Sequence, residues 1–328
     1  MVNLSMQKGS SDKILWIESI RSFSIIAVIA IHSIYSALLL HSNGSLSITE
    51  LTIYRSLMNL LWWGVPCFLM ISGYLLLDPE KIISYDKVLK HYIPRILGVL
   101  LLFGTVFAWV ELVFSQRMIS ISQIGAALLN VFKGQSWAHL WYLYCLLGIY
   151  FLLPIYRILA KHFSDKDLIY YLLINFIFLS VLRVTKVFGI DSGFYIHVAT
   201  IYPFWFFMGS AVKRGLFQLP MQKNIIILLL SSLFLVTLTF IQYRIGISTL
   251  SALFGYDSPI VVFQAITLFN ILKNINIVQI KKLIYAVGKN SFGIYIVHMF
   301  FVNLFYKVLH IYSVKKYMGG TTYFFGVN

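Results

Sequence analysis

Long apolar runs recur along the whole 328-residue chain, and they restrict what it can fold into more than any other feature. The first run begins at Trp16 and reads WIESIRSFSIIAVIAIHSIYSALLL. A helix needs about 20 apolar residues to cross the hydrocarbon of a bilayer. Only 11% of the residues are charged and 59% are hydrophobic, whereas soluble domains are about a quarter charged. The sequence therefore predicts an all-α, polytopic transmembrane helical bundle.

The apolar runs predict nine membrane spans and one shorter helix. The segment 119–132 is too short to span and is predicted to lie at the membrane surface or to re-enter from it. No linker is long enough to separate a second domain, so residues 1–328 are predicted to form one membrane domain with its spans within about 14–311. The predicted spans are 16–40, 57–77, 96–115, 139–159, 168–186, 197–212, 224–242, 259–273 and 291–311.

The basic residues behind the net charge of +15 are predicted to contact membrane lipid head groups rather than nucleic acid, because they lie in short loops between apolar runs. Most lysines and arginines fall on the side of the N-terminus, which predicts a cytoplasmic N-terminus in the inner (cytoplasmic) cell membrane. Arg183 and Lys186, near the other side, are expected to snorkel to the surface. Cys67 and Cys145 lie in apolar runs and are expected to be small buried side chains.

Three ionisable residues interrupt the first apolar run: Glu18, Arg21 and His32. Such groups are costly in lipid and usually face a bundle interior or a cavity. Eleven residues at about 100° each bring Arg21 and His32 to one helix face, about 16 Å apart along the axis. A guanidinium suits phosphate or carboxylate, and an imidazole suits proton exchange. Alternatively, Glu18 and Arg21 form an interfacial ion pair and His32 bonds a neighbouring helix.

Five sequence blocks, in order, resemble acyltransferase family 3, a family of integral membrane acyltransferases. Many members carry an arginine or lysine, ten further residues and a histidine in the first span, with an acid three positions earlier. Glu18, Arg21 and His32 match this pattern, with glutamate where aspartate is more usual. Members commonly have ten spans, so nine to ten are expected here. The other blocks are VPCFLMISGYLL from Val65, KHYIPRILGVLL from Lys90, HLWYLYCLLGIYFLLPIYR from His139 and SFGIYIVHMFF from Ser291.

The resemblance implies a membrane-bound O-acyltransferase. It would transfer an acyl group, most often acetyl, from cytoplasmic acetyl-CoA to a hydroxyl of a carbohydrate or lipid-linked glycan, beside partners in polysaccharide biosynthesis. His32 would act as general base, and Glu18 would orient Arg21. Arg21, Lys90 and Arg95 would neutralise the phosphates of the donor. No metal is expected. Direct transfer and a covalent acyl-enzyme both stay open.

Four further residues are candidates for binding the acceptor. His139, Trp141 and Tyr142 begin the fourth predicted span and could contact a sugar, because aromatic and imidazole rings offer a stacking face and a polar edge. Anchoring by an interfacial aromatic belt explains them equally well. His298 could line the same cavity as His32, or it could be a buried structural histidine.

Two other classes of function compete with an enzyme. A glycan or ion-coupled transporter or flippase also needs buried charges on a helix face. The sequence shows no inverted repeat or matched pair of broken helices, which many carriers have. A non-catalytic partner in a polysaccharide assembly would leave the shared face of Arg21 and His32 unexplained.

Overall fold

The computed structural model describes residues 2–40, 46–194, 200–275 and 279–309, with side chains from residue 15 onward. Every regular element within these ranges is helical. The α-helices are α1 (Val2–Leu40), α2 (Ile48–Asn59), α3 (Gly64–Leu76), α4 (Tyr85–Lys87), α5 (Ile93–Gln116), α6 (Ser122–Phe132), α7 (Trp141–His162), α8 (Asp165–Phe176), α9 (Tyr202–Lys213), α10 (Met221–Ile245), α11 (Pro259–Asn274), α12 (Lys281–Lys289) and α13 (Ser291–Asn303). Short π-helical or 3₁₀ turns continue several of them.

Seven helical segments in the described ranges are long and apolar enough to cross a membrane, so the predicted membrane bundle is confirmed. The count of nine to ten spans is not confirmed. The last predicted span, 291–311, is described only to residue 309. The seven segments are Leu15–Leu40, Ile48–Leu76, Tyr85–Gln116, Ala138–His162, Asp165–Phe188, Met221–Ile245 and Ser291–Val308.

Two of the predicted spans, 197–212 and 259–273, correspond to the short helices α9 and α11. They contain 12 and 16 residues, which gives about 18 and 24 Å of length, against about 30 Å of hydrocarbon. Most of their residues are buried inside the bundle. Their apolar side chains therefore pack mainly against other helices. That these two helices span the membrane stays a prediction, and residues 197–199 of the first predicted span lie outside the described residues.

The predicted short helix at 119–132 is present as α6, which packs along α5. Its buried residue Val131 would touch any side chain placed at Gly104. The Ser136 hydroxyl donates a hydrogen bond to the Gly104 carbonyl at 2.8 Å. These contacts hold the segment that leads into α7 and positions His139.

Glycines allow the closest helix contacts in the core. A Cβ atom at Gly73 of α3 would overlap the backbone of Phe206 in α9, and one at Gly209 would overlap the backbone of Met70. Gly288 likewise abuts the backbone of Glu18, which seats α12 on α1. The Gly288 contact matters most for the site, since it holds the start of α13 beside Glu18 and Arg21 of α1.

The excess of basic residues predicts that the loops 78–95, 160–167 and 213–223 are cytoplasmic, and residues of all three lie together at one end of the bundle. Arg157 of α7 donates to the carbonyl of Leu76, the last residue of α3, and to the carbonyl of Lys81 in the loop that follows. Lys213 forms an ion pair with Asp78, and Arg214 donates to the Phe163 carbonyl at 2.8 Å. The charged loops after α3, α7 and α9 thus share one side.

Candidate active site

The charged face of α1 has the geometry that the residue spacing predicts. Arg21 Nη1 lies 2.8 Å from Glu18 Oε1, and Glu18 is buried. This ion pair orients the guanidinium, because a carboxylate one turn away on the same helix fixes its direction. His32 lies three turns further along and points into the bundle, where it meets two other histidines.

Beside Arg21 lies a cavity of about 370 Å³ bounded by α1, α3, α5, α7, α12 and α13. Arg21, Arg95 and Lys289 contribute cations to its lining, and we call it the cationic cavity. Of these three, only Arg21 has a carboxylate partner in the part of the chain that the structure describes. The lining therefore carries an excess of positive charge, which favours an anionic ligand.

Lys90, the third predicted donor-binding cation, does not line this cavity. Its ammonium group pairs with Asp86 at 3.2 Å, and both side chains are largely exposed. Lys289 takes a cationic position that the sequence analysis missed. Its signal was present in the sequence, since Lys289 follows Gly288 directly before the block that begins at Ser291.

The three candidate histidines meet at the far end of the α1 face, and we call them the histidine cluster. The ring centroids of His32 and His298 lie 5.1 Å apart, as do those of His139 and His298. His32 and His139 are 6.4 Å apart. α1, the turn before α7 and α13 each supply one ring, so residues that are distant in sequence converge at one place.

Backbone contacts fix the tautomers of two of these rings. His139 Nε2 lies 3.2 Å from the Ile296 carbonyl, and His298 Nδ1 contacts the Tyr295 carbonyl. A carbonyl only accepts, so each of these nitrogens carries a hydrogen and donates it. The opposite nitrogens, His139 Nδ1 and His298 Nε2, are buried and find no hydrogen-bond partner among the described residues. The lone pairs of His139 Nδ1 and His298 Nε2 therefore lie inside the bundle without a hydrogen-bond donor among the described residues.

A second, much smaller cavity adjoins His32 and is called here the histidine chamber. Its volume is about 10 Å³, room for about one water molecule. Four residues line both this chamber and the cationic cavity, and so form the wall between them: Val28, Val65, Tyr142 and Tyr295. The Tyr295 hydroxyl donates to the His139 carbonyl, which ties this wall to the histidine cluster.

The four candidates for acceptor binding all lie at the chamber or in the histidine cluster. Trp141 lines the chamber and contacts the rings of Tyr202 and Tyr256, at centroid distances of 5.3 and 5.6 Å. Tyr142 belongs to the shared wall. Tyr142 is buried and Trp141 is half-buried, and an aromatic belt stays the alternative interpretation. What they bind stays a prediction.

A third cavity, of about 430 Å³, lies beyond the chamber and is called the Arg183 cavity. Arg183 forms an ion pair with Asp257 and donates to the carbonyls of Ala252 and Phe254. These partners fix the guanidinium while 26% of the Arg183 side chain stays exposed, and the snorkelling of Arg183 and Lys186 stays a prediction. Tyr256 lines both this cavity and the chamber. Burial raises the pKa of Tyr256, so its phenol stays neutral.

Within the described residues, no group of three or more His, Cys, Asp or Glu side chains is arranged to hold a metal ion. Cys67 is buried, and Cys145 is half-buried.

A family model described as an acyltransferase domain matches residues 14–327. No curated protein and no solved structure matches the chain significantly.

Proposed function

The chain belongs to the acyltransferase domain family, and from this premise we propose that it moves an acetyl group from acetyl-CoA to a hydroxyl of a carbohydrate or lipid-linked glycan. One observation carries the proposal. The cationic cavity and the histidine chamber lie side by side along α1 and share a wall. A charged donor bound beside Arg21 would therefore lie on the other side of the shared wall from the imidazole of His32.

The cationic cavity is the proposed donor site. Its volume is within the range of small-molecule pockets, and its excess cations match the phosphate groups of coenzyme A. Arg21, oriented by Glu18, would grip a phosphate with its fork of donors. Arg95 is exposed at the mouth of the cavity, where an entering donor would meet it first. Lys90 would touch only a part of the donor that remains outside.

His32 is the proposed general base, since it alone of the three histidines lines the chamber. The acceptor oxygen attacks the thioester carbonyl while His32 takes the hydroxyl proton. A C–O bond forms, the C–S bond breaks, and the imidazolium returns the proton to the leaving thiolate of coenzyme A. A chamber with room for about one water molecule must widen to admit any acyl group, and acetyl would displace the shared wall less than a longer chain would.

In the cell, we propose that the cytoplasmic membrane holds the chain with its N-terminus inside. The charged loops gathered beside Asp78 and Lys213 would then face the cytoplasm, where acetyl-CoA is made. The acceptor glycan, and any partners in polysaccharide biosynthesis, would approach from the opposite end.

The test compares His32→Gln with wild type in membrane vesicles prepared from the cells that make the protein. Glutamine keeps hydrogen bonding but not basicity, so we expect at least an approximately hundredfold loss of transfer. Acetylated glycan per folded protein, measured by mass spectrometry, is the readout, and acetyl-CoA binding should stay near wild type. His162→Gln, on the exposed end of α7, is the matched control. Wild-type vesicles without acetylation would refute the function, and an active His32→Gln would move the base to His139 or His298.

A further inference from the structure

The Arg183 cavity, of about 430 Å³, is not used by the proposed donor site. Tyr256 separates it from the histidine chamber, as Tyr142 and Tyr295 separate the chamber from the cationic cavity. The three cavities therefore lie in series, with His32 in the middle. A ligand in the Arg183 cavity would sit on the opposite side of His32 from the donor.

Charge in this cavity is balanced rather than in excess. Asp257 neutralises Arg183, and Lys186 pairs with Asp191 at 3.1 Å. A polyanion such as coenzyme A would gain little here, because each cation already has a carboxylate beside it. A neutral ligand with many hydroxyl groups fits this balance better.

The polar groups are also rigid. Backbone carbonyls and Asp257 engage three of the five N–H groups that a guanidinium carries. The remaining donors and the second oxygen of Asp257 can each bond a hydroxyl without moving. The rings of Tyr202 and Tyr256 supply apolar faces on the same lining. Fixed planar polar groups beside aromatic faces suit a sugar ring, which has polar edges and apolar faces.

We propose that the Arg183 cavity is the acceptor site and binds one neutral sugar residue of the glycan, with Tyr202 and Tyr256 against its face and the Arg183–Asp257 pair on its hydroxyls. The inference rests on the proposed function. One hydroxyl of the bound sugar would pass Tyr256 to reach His32, while the acetyl group enters past Tyr142 and Tyr295.

The test closes the cavity from its rim. Thr200 and Ser192 line the cavity at positions that are exposed or half-exposed, so a tryptophan at either one can enter it without disturbing the core. Ser122→Trp, at an exposed position of α6, is the matched control. Purified protein receives radiolabelled acetyl-CoA and a panel of methyl glycosides of neutral hexoses, deoxyhexoses and N-acetylhexosamines. Saturation-transfer NMR with the same glycosides measures binding directly.

We expect Thr200→Trp and Ser192→Trp each to raise the KM for the accepted glycoside about tenfold or more, with acetyl-CoA binding unchanged. The NMR signal of the glycoside should fall in parallel, while Ser122→Trp behaves as wild type. An unchanged KM in both rim variants would overturn the acceptor site and leave the acyltransferase function standing. Acetylation of vesicle glycans without binding of any glycoside would also overturn this assignment. Failure of wild type to turn over acetyl-CoA with any acceptor would remove the function itself.

Discussion

The cationic cavity and the Arg183 cavity are similar in size, at about 370 and 430 Å³, yet their charges are organised in opposite ways. In the first, Arg95 and Lys289 add positive charge that no carboxylate in the described ranges offsets. In the second, an acid pairs with each cation. An arginine inside a membrane bundle thus has two uses: it attracts an anion when charge is in excess, and it builds a rigid polar surface when charge is balanced.

The sharpest test of this difference is Arg21→Ala. Removing an oriented guanidinium from a partly buried site should weaken acetyl-CoA binding by about tenfold or more, the scale of one or two charge-assisted hydrogen bonds. Titration of the purified protein with acetyl-CoA measures the Kd. Arg244→Ala is the matched control, because Arg244 is exposed, donates a hydrogen bond to Thr49 and lies over the Phe240 ring, away from the cationic cavity. A folded Arg21→Ala protein with the wild-type Kd would remove Arg21 from the donor site.

A smaller effect is expected from neutralising one lysine in each cavity. Lys289→Gln should weaken acetyl-CoA binding about three- to fivefold, since Lys289 is exposed and solvent screens its charge. Lys186→Gln, in the Arg183 cavity, should leave the same Kd within about twofold. Parallel titrations at low and high salt should show that the Lys289 effect shrinks as ionic strength rises. Equal losses in the two variants would contradict the contrast between the cavities.

The smallest effect belongs to Lys90. Its position in the sequence block predicts a contribution to donor binding, but its exposed ion pair with Asp86 lies off the cavity lining. We therefore expect Lys90→Ala to change the Kd for acetyl-CoA by less than about twofold, and by less than Arg95→Ala does. If the two variants were equally impaired, the bound donor would have to extend well outside the cationic cavity.

Local patterns in the sequence predicted most of the helices and the shared face of α1. Arg21 and His32 lie on one helix, so their spacing alone fixes their relative direction. The helices α9 and α11 are short and mostly buried, and hydropathy alone does not distinguish such helices from lipid-facing ones, because lipid and a protein core are both apolar. Only the burial of α9 behind α3, through Gly73 and Gly209, distinguishes the two environments.

The sequence did not predict the cavities, because they are formed by contacts between segments that are distant in sequence. Lys289 reaches the cationic cavity because Gly288 lets α12 lie against α1. Tyr256 reaches the chamber from a loop that has no helical periodicity to follow. The sequence left open whether His298 lies near His32 or is a buried structural histidine, and the tautomers of His139 and His298 follow only from their backbone partners.

The contact between the rings of His32 and His298 can form only after nearly all of the described chain has been synthesised. His32 belongs to the first helix made and His298 to the last one described, and a ribosome adds about 5–20 residues per second. His32 is therefore synthesised on the order of tens of seconds before His298. A chain released before α13 would carry Arg21 and His32 without the third ring, so premature termination should leave a protein that can be inserted but not activated.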